Sequence, residues 1–188
     1  MNIGIIGSTA ECAINFRKDL ILDLIKQKHN VFVFANNFDR NAINFFESIG
    51  AHPINYKLNN NNNSIISDIK NIFYLGLILR KLKIDLTISY FLKPIITTSF
   101  ASKIFFLRNN YIFFEGLGSN FGNYNLNDFN SHKISFFLKF LLYLSIWFSQ
   151  KSIFINKEDL IEISKINKKV LKNSFILGPI GLDLDYYK

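Results

Sequence analysis

The feature that most constrains this chain is its rhythm, short apolar runs alternating with amphipathic stretches along its length. Residues 2–6 read as a buried strand that closes at Gly7-Ser8-Thr9. Ala13, Ile14, Phe16, Leu20, Ile21, Leu24 and Ile25 then recur at helical spacing. The pattern repeats with a strand at 31–34, a helix over about 40–49 stopped by Gly50, and a short strand at 53–56. After the run Asn59-Asn60-Asn61-Asn62-Asn63, which favours turns over a helix interior, a helix is expected over 64–82 with Ser64 as its cap. A strand at 84–90, a helix from Pro94 to about 107 and a strand at 111–114 follow. A Gly- and Asn-rich loop runs from Glu115 to about 131, and helices at 133–148 and 157–166 with strands at 152–155 and 174–177 complete the series. Such alternation predicts βαβ units, hence an α/β fold with a Rossmann-like, doubly wound parallel sheet. Ligands of such a sheet bind at the carboxyl ends of its strands.

Composition narrows the class. With 188 residues, 49% hydrophobic and 19% charged, the chain has room for one domain spanning 1–188 and its own core. Disorder and rod-like structures are excluded. The single cysteine, Cys12, rules out a disulfide framework and a cysteine zinc site within the chain. No metal-ligand spacing occurs, so neither a metal nor a bound cofactor is expected. The net charge of +8 attracts phosphates, anionic headgroups or nucleic acid without selecting among them. Part of this bias towards Phe, Ile, Lys and Asn is what AT-rich coding would produce.

The N-terminus has no basic leader, and Glu11 soon follows, so no cleavable signal is expected. The apolar segment 136–148 is 13 residues long and carries Lys139, whereas a spanning helix needs about 20. A cytoplasmic protein is therefore expected. The helix over 133–148 is apolar nearly all round, which predicts burial between the sheet and its neighbours. The alternative is a face that dips into a membrane surface, aided by Lys133, Lys139 and Lys151.

Chemistry is expected where strands stop, at Gly7-Ser8-Thr9-Ala10, Tyr90-Phe91-Leu92-Lys93-Pro94, Glu115-Gly116-Leu117-Gly118 and Asn156-Lys157-Glu158-Asp159. The first could cradle a phosphate at a helix N-terminus, or its small residues could serve only a tight turn. It is not the dinucleotide fingerprint, and no P-loop occurs. No G-x-S-x-G elbow is present, and His29, His52 and His132 have no evident Ser or Asp partner. A carboxylate at a strand end followed by Gly-x-Gly suits a loop that closes over a ligand.

In combination these pieces resemble the N-terminal half of bacterial GT-B glycosyltransferases of family 4. The nearest subgroup adds sugars to lipid-linked precursors of surface polysaccharides. The residues that carry the resemblance begin with Ile5-Ile6-Gly7-Ser8, Asn15-Phe16-Arg17-Lys18-Asp19-Leu20 and Lys28-His29-Asn30-Val31. They continue with Tyr90-Phe91-Leu92-Lys93-Pro94-Ile95, Glu115-Gly116-Leu117-Gly118 with Phe121, and Phe154-Ile155-Asn156-Lys157-Glu158-Asp159-Leu160, and end at Gly178-Pro179-Ile180-Gly181-Leu182-Asp183.

The resemblance implies transfer of a sugar from a nucleotide-sugar to a lipid-linked saccharide acceptor, the nucleotide-sugar acting as substrate rather than cofactor. It implies that Gly7, Ser8, Glu115, Gly116 and Gly118 line the donor-phosphate side of the cleft. Arg17, Tyr90, Lys93 and Asn156 would lie on the acceptor side, with Arg17 and Lys93 as contacts for an acceptor pyrophosphate. It names no general base. The family's donor-binding domain has no counterpart in these residues, so a C-terminal domain or a partner chain is expected to complete the cleft. The Asn59–Asn63 run departs from the subgroup's shorter polar turn. Basic charge and the apolar helix would fit peripheral attachment to the inner face of an anionic cell membrane. Two other readings stand beside this one: a non-catalytic remnant or binding module, and an unrelated nucleotide-binding Rossmann-like domain. Nucleic acid is not an expected partner, because the aromatics fall at core spacing rather than interleaving a basic stripe.

Overall fold

The computed structural model describes residues 1–56, 65–107, 109–116 and 136–178. Seven strands, β1 (Asn2–Thr9), β2 (Asn30–Asn36), β3 (His52–Asn55), β4 (Leu86–Tyr90), β5 (Asn109–Phe114), β6 (Lys151–Phe154) and β7 (Ser174–Ile176), form one sheet in which every pairing is parallel. The order is β3-β2-β1-β4-β5-β6-β7. The chain winds outward from β1 to one edge, crosses back beside β1, and continues to the other edge. This is the doubly wound arrangement with its reversal between β1 and β4.

The crossovers are α1 (Ala10–Lys26), α2 (Arg40–Ser48), α3 (Ile65–Lys81), α4 (Leu92–Ile104), α5 (Phe136–Phe148) and α6 (Lys157–Ser164). Their apolar positions divide between the two faces of the sheet. Ala13 and Ile21 of α1 and Phe46 of α2 pack with Ile3, Ile5 and Val33 on one side. Leu75 and Leu79 of α3 and Ala101 of α4 pack with Ile6 and Phe34 on the other. That second layer continues through Ile95, Leu142, Ile146 and Ile163, which bring α4, α5 and α6 together over β5 and β6. The helices begin where their caps predict. Thr9, Asp39 and Asn156 each accept a hydrogen bond from a backbone N–H in the first turn of α1, α2 and α6.

Boundaries differ from expectation where the backbone takes a turn that sequence periodicity does not register. Strand β4 begins at Leu86 rather than residue 84, because Lys83 adopts φ 52° and Ile84 N–H still bonds Leu79 O at 3.0 Å, closing α3. Helix α4 begins at Leu92, so Pro94 occupies the third helical position, where a missing N–H still costs nothing. Strand β1 runs on to Thr9 across a bulge, and a 3₁₀ turn at Lys168–Leu171 precedes β7. The Asn59–Asn63 run, Ser64, His132 and Lys133 lie outside the described residues.

The largest departure concerns α5. Burial on all sides was expected, yet only Leu142, Ser145 and Ile146 are buried, while Phe136, Phe137, Phe140, Tyr143 and Trp147 face outward. A helix in an outer layer has one side against the sheet, and its opposite side is apolar here too. Among the described residues no helix is long and apolar enough to cross a membrane.

Candidate functional site

All seven strands point the same way, so the carboxyl ends of β1, β4, β5 and β6 open on one edge. At the reversal between β1 and β4, the pairing with β2 jumps from Ile6↔Phe34 to Thr9↔Asn36. Gly7 and Ser8 thus stand opposite one residue, Ala35, in a β-bulge, a device that re-aims backbone beside functional sites.

Two tyrosines hold this bulge. Tyr56, the residue just after β3, donates its hydroxyl to Gly7 O at 2.9 Å. Tyr90, at the end of β4, lies so close that a Cβ on Gly7 would run into its phenol. Glycine is required here by this approach, whatever the backbone angle. Tyr90 is fully buried, and among the described residues its hydroxyl has no hydrogen-bond partner.

Arg17 reaches the same place from the second turn of α1. It is 3% exposed, pairs with Glu115 at the end of β5, and donates to Phe16 O. Its guanidinium carbon lies 4.6 Å from the Tyr90 ring centroid and 4.7 Å from that of Phe113. A cation between two aromatic faces with a carboxylate at its edge is held by electrostatics from three directions. Burial pulls the Arg17 pKa down to about 10, with Tyr90 acting in the opposite sense; the adjacent carboxylate also favours the charged form.

Phe91 follows Tyr90 with φ 66° and ψ 150°, a region that side chains rarely occupy. Such strain costs on the order of 1–3 kcal/mol and tends to gather at functional sites. It turns the chain sharply from β4 into α4. Lys93, in the first turn of α4, lies 3.1 Å from Asp68 of α3.

The expected site residues therefore divide. Gly7, Ser8, Arg17, Tyr90 and Glu115 meet at the reversal, and Gly116 follows at φ 109°, where among the described residues nothing lies within 4 Å of an added Cβ. Lys93 flanks them and faces α3. Asn156 stands at the end of β6, where its side chain caps α6 by accepting from Asp159 N–H at 2.7 Å. Gly118 lies outside the described residues. The strand-end expectation takes in Phe91 without its positive φ, and it leaves out Tyr56. Tyr56 was legible as a strand-end residue, but nothing in a Phe codon announces a positive φ. Among the described residues, no three His, Cys, Asp or Glu side chains gather as a metal site would need.

The paired tyrosines make a pH prediction. Burial raises the Tyr56 pKa well above its usual value and raises that of Tyr90 too. Above pH 10.0, the ordinary tyrosine value, the unfolded chain loses two protons that the folded chain keeps. Stability therefore falls as pH rises. Arg17 acts oppositely, because its folded pKa lies below its unfolded one. One net proton leaves a slope of about 1.4 kcal/mol per pH unit. Urea midpoints between pH 9 and 11 should show it, and Tyr56→Phe should flatten it.

No family model matches this chain, and no curated protein matches it in sequence. Its likeness is to solved structures. A glycosyltransferase from Rickettsia africae ESF-5 superposes with a TM-score of 0.64 at 12% identity, over 100% of this chain and 45% of that one. The apo form of the lipopolysaccharide outer core galactosyltransferase WaaB gives 0.61 at 12%, over 97% and 47%. This chain has the fold of one Rossmann-like half of a GT-B molecule. The same half-fold matches a UDP-GlcNAc 2-epimerase from Neisseria meningitidis bound to UDP-GlcNAc, with a TM-score of 0.62 at 16% identity, over 94% and 46%. The chain spans just under half the length of each of these proteins.

Proposed function

We propose that this GT-B half is the acceptor side of a family 4 glycosyltransferase, which moves a sugar from a nucleotide-sugar to a lipid-linked saccharide in surface-polysaccharide synthesis. The observation that carries the reading is the charged cluster at the β1/β4 reversal, where Arg17 and Glu115 stand beside a glycine bulge and Lys93 flanks them. Doubly wound sheets bind ligands at this position, and bulge and helix N-terminus suit an anionic group. Since the similar structures are about twice as long, the reading calls for a second unit across the cleft, in the same polypeptide or in a partner. The protein would work in the cytoplasm, at the inner face of the membrane that holds its acceptor.

The test is calorimetric titration with a short-chain polyprenyl-diphosphate monosaccharide and with a panel of UDP- and GDP-sugars, followed by a transfer assay. Binding of the diphosphate-linked saccharide, weakened about tenfold by Lys93→Glu, is the expected result. If neither ligand class binds, the reading fails. Binding without transfer, even with the second unit supplied, would identify a non-catalytic binding module. A second reading, 2-epimerisation of a UDP-sugar, is favoured by the likeness to the UDP-GlcNAc-bound epimerase. Conversion of UDP-GlcNAc at C2 without any acceptor would replace the transfer reading.

A further inference from the structure

The edge where the strands begin, opposite the candidate site, carries a cavity of its own. It holds about 310 Å³ between the ends of α4 and α5 and the start of β5, against Ser102, Phe106, Leu107, Asn110 and Phe148. Ser102 and Asn110 are each 3% exposed. The Asn110 amide is satisfied, since it donates to Ser99 Oγ at 3.0 Å and accepts from Thr87 Oγ1 at 3.0 Å. The Ser102 hydroxyl has no hydrogen-bond partner among the described residues. Buried hydroxyls are rarely left so, and one beside a cavity can be satisfied by what fills it.

Phe106 supplies the outer wall. It follows the end of α4 at φ 55°, where helices usually place glycine, and Leu107 N–H bonds Ser102 O at 2.9 Å across it. Its ring is 85% exposed, so the fold gains little from an aromatic side chain in this strained turn. A ligand in the cavity would be walled by that ring. Charge selects a neutral occupant. Helices α4 and α5 both end here, and the partial negative charge of each end already has a lysine beside it. Lys169 donates to the carbonyls of Ile146 at 3.2 Å and Trp147 at 2.8 Å at the end of α5. Lys103, in the last turn of α4, lies 5.9 Å from the Phe148 ring centroid and is the one charged side chain among the described lining residues. An ion would find no unmatched charge to neutralise its own, and burying it would be costly.

We propose that this cavity binds a small neutral aromatic alcohol, with its ring against Phe106, Leu107 and Phe148 and its hydroxyl donating to Ser102 Oγ. The volume suits about ten non-hydrogen atoms at roughly 30 Å³ each, the size of a substituted phenol. Phe100 meets Phe148 edge-on at 5.3 Å and steadies that wall. The site is separate from the β1/β4 reversal. Helix α4 starts beside the reversal, just after Phe91, and ends at the cavity, 13 residues or roughly 20 Å away. Neither sugar transfer nor epimerisation at the reversal requires this second site, so its occupancy stands or falls independently of them.

The test is an NMR titration of the isotopically labelled full chain with para-cresol, which is uncharged at neutral pH. Saturable shifts at the amides of Phe106, Leu107 and Asn110, with those of Gly7 and Tyr90 unmoved, are the expected result. Toluene, which lacks the hydroxyl, and the para-toluate anion should each bind about fivefold more weakly or worse. Ser102→Ala should weaken para-cresol about fivefold while leaving the melting temperature unchanged or higher, because it deletes a buried hydroxyl that lacks a partner. A serine with only a structural role would lower the melting temperature and leave the affinity alone. Phe106→Gly should raise the melting temperature by relieving the positive φ, and weaken binding by removing the wall. Thr98→Val alters another buried hydroxyl one turn away that does not line the cavity, and should leave the affinity unchanged. No saturable shift, shifts confined to the reversal, equal binding of toluene, or full affinity in Ser102→Ala would each overturn the proposal.

Discussion

Glu115→Ala is expected to lower unfolding free energy by about 3–5 kcal/mol, the cost of leaving a buried charge without its partner. Arg17 is 3% exposed and sits between the Tyr90 and Phe113 rings, so it has no route to water when the carboxylate is removed. The two rings compensate only partly, since cation–π contacts contribute about 0.5–2 kcal/mol. Arg17→Met should cost less, because Glu115 lies nearer the surface and can recover solvent. The double variant Arg17→Met/Glu115→Leu should recover most of the loss, as hydrophobic replacements of whole buried pairs commonly do. Urea unfolding of the four proteins closes the cycle. If Glu115→Ala costs under about 1 kcal/mol, the pair behaves as a surface bridge and its buried placement is wrong.

The second large effect belongs to Gly7→Ala, expected to cost on the order of 3 kcal/mol by overpacking. The added Cβ would fall on the hydroxyl and ring of Tyr90, and that ring cannot swing aside. It is fully buried, with Arg17 over one face and Phe91 5.1 Å away. Tyr90→Leu shortens the side chain and should rescue part of the loss, with a coupling of about 1–2 kcal/mol in a double-mutant cycle. Tyr90→Phe should rescue less, because the ring carbons nearest the Cβ remain. Additive losses from Gly7→Ala and Tyr90→Leu would show that the two residues do not touch.

The two experiments address the same few residues, which is why the site and the stability of the sheet reversal cannot be separated. Strand β1 is packed on both faces, by Ile3 and Ile5 on one and Ile6 on the other. At its end the bulge passes between Tyr90 of the first cluster and Tyr56, which packs in the second. A substitution that opens the bulge to a ligand therefore also loosens the centre of the fold.

How far the sequence could be read varies with the kind of signal. The seven strands were legible because buried parallel strands are short apolar runs bounded by turn residues, and βαβ chirality allows few arrangements. The strand-end rule located Gly7, Ser8, Tyr90 and Glu115 on one edge without any coordinates. Helix α5 departs from the expected burial because composition counts apolar residues without showing which side has a neighbour. The role of Asn156 as the α6 cap rests on a backbone N–H that only the folded turn presents.

The sequence alone thus determined the alternation, the parallel sheet and which strand ends share one edge, because these follow from local periodicity and handedness. Tertiary structure alone decided that Arg17 spends its charge on Glu115 between two rings, that Gly7 is pressed by Tyr90, and that α5 faces outward. Each of these depends on residues tens of positions apart meeting in space. Such meetings are set by the packing of whole layers, which no window of neighbouring residues contains.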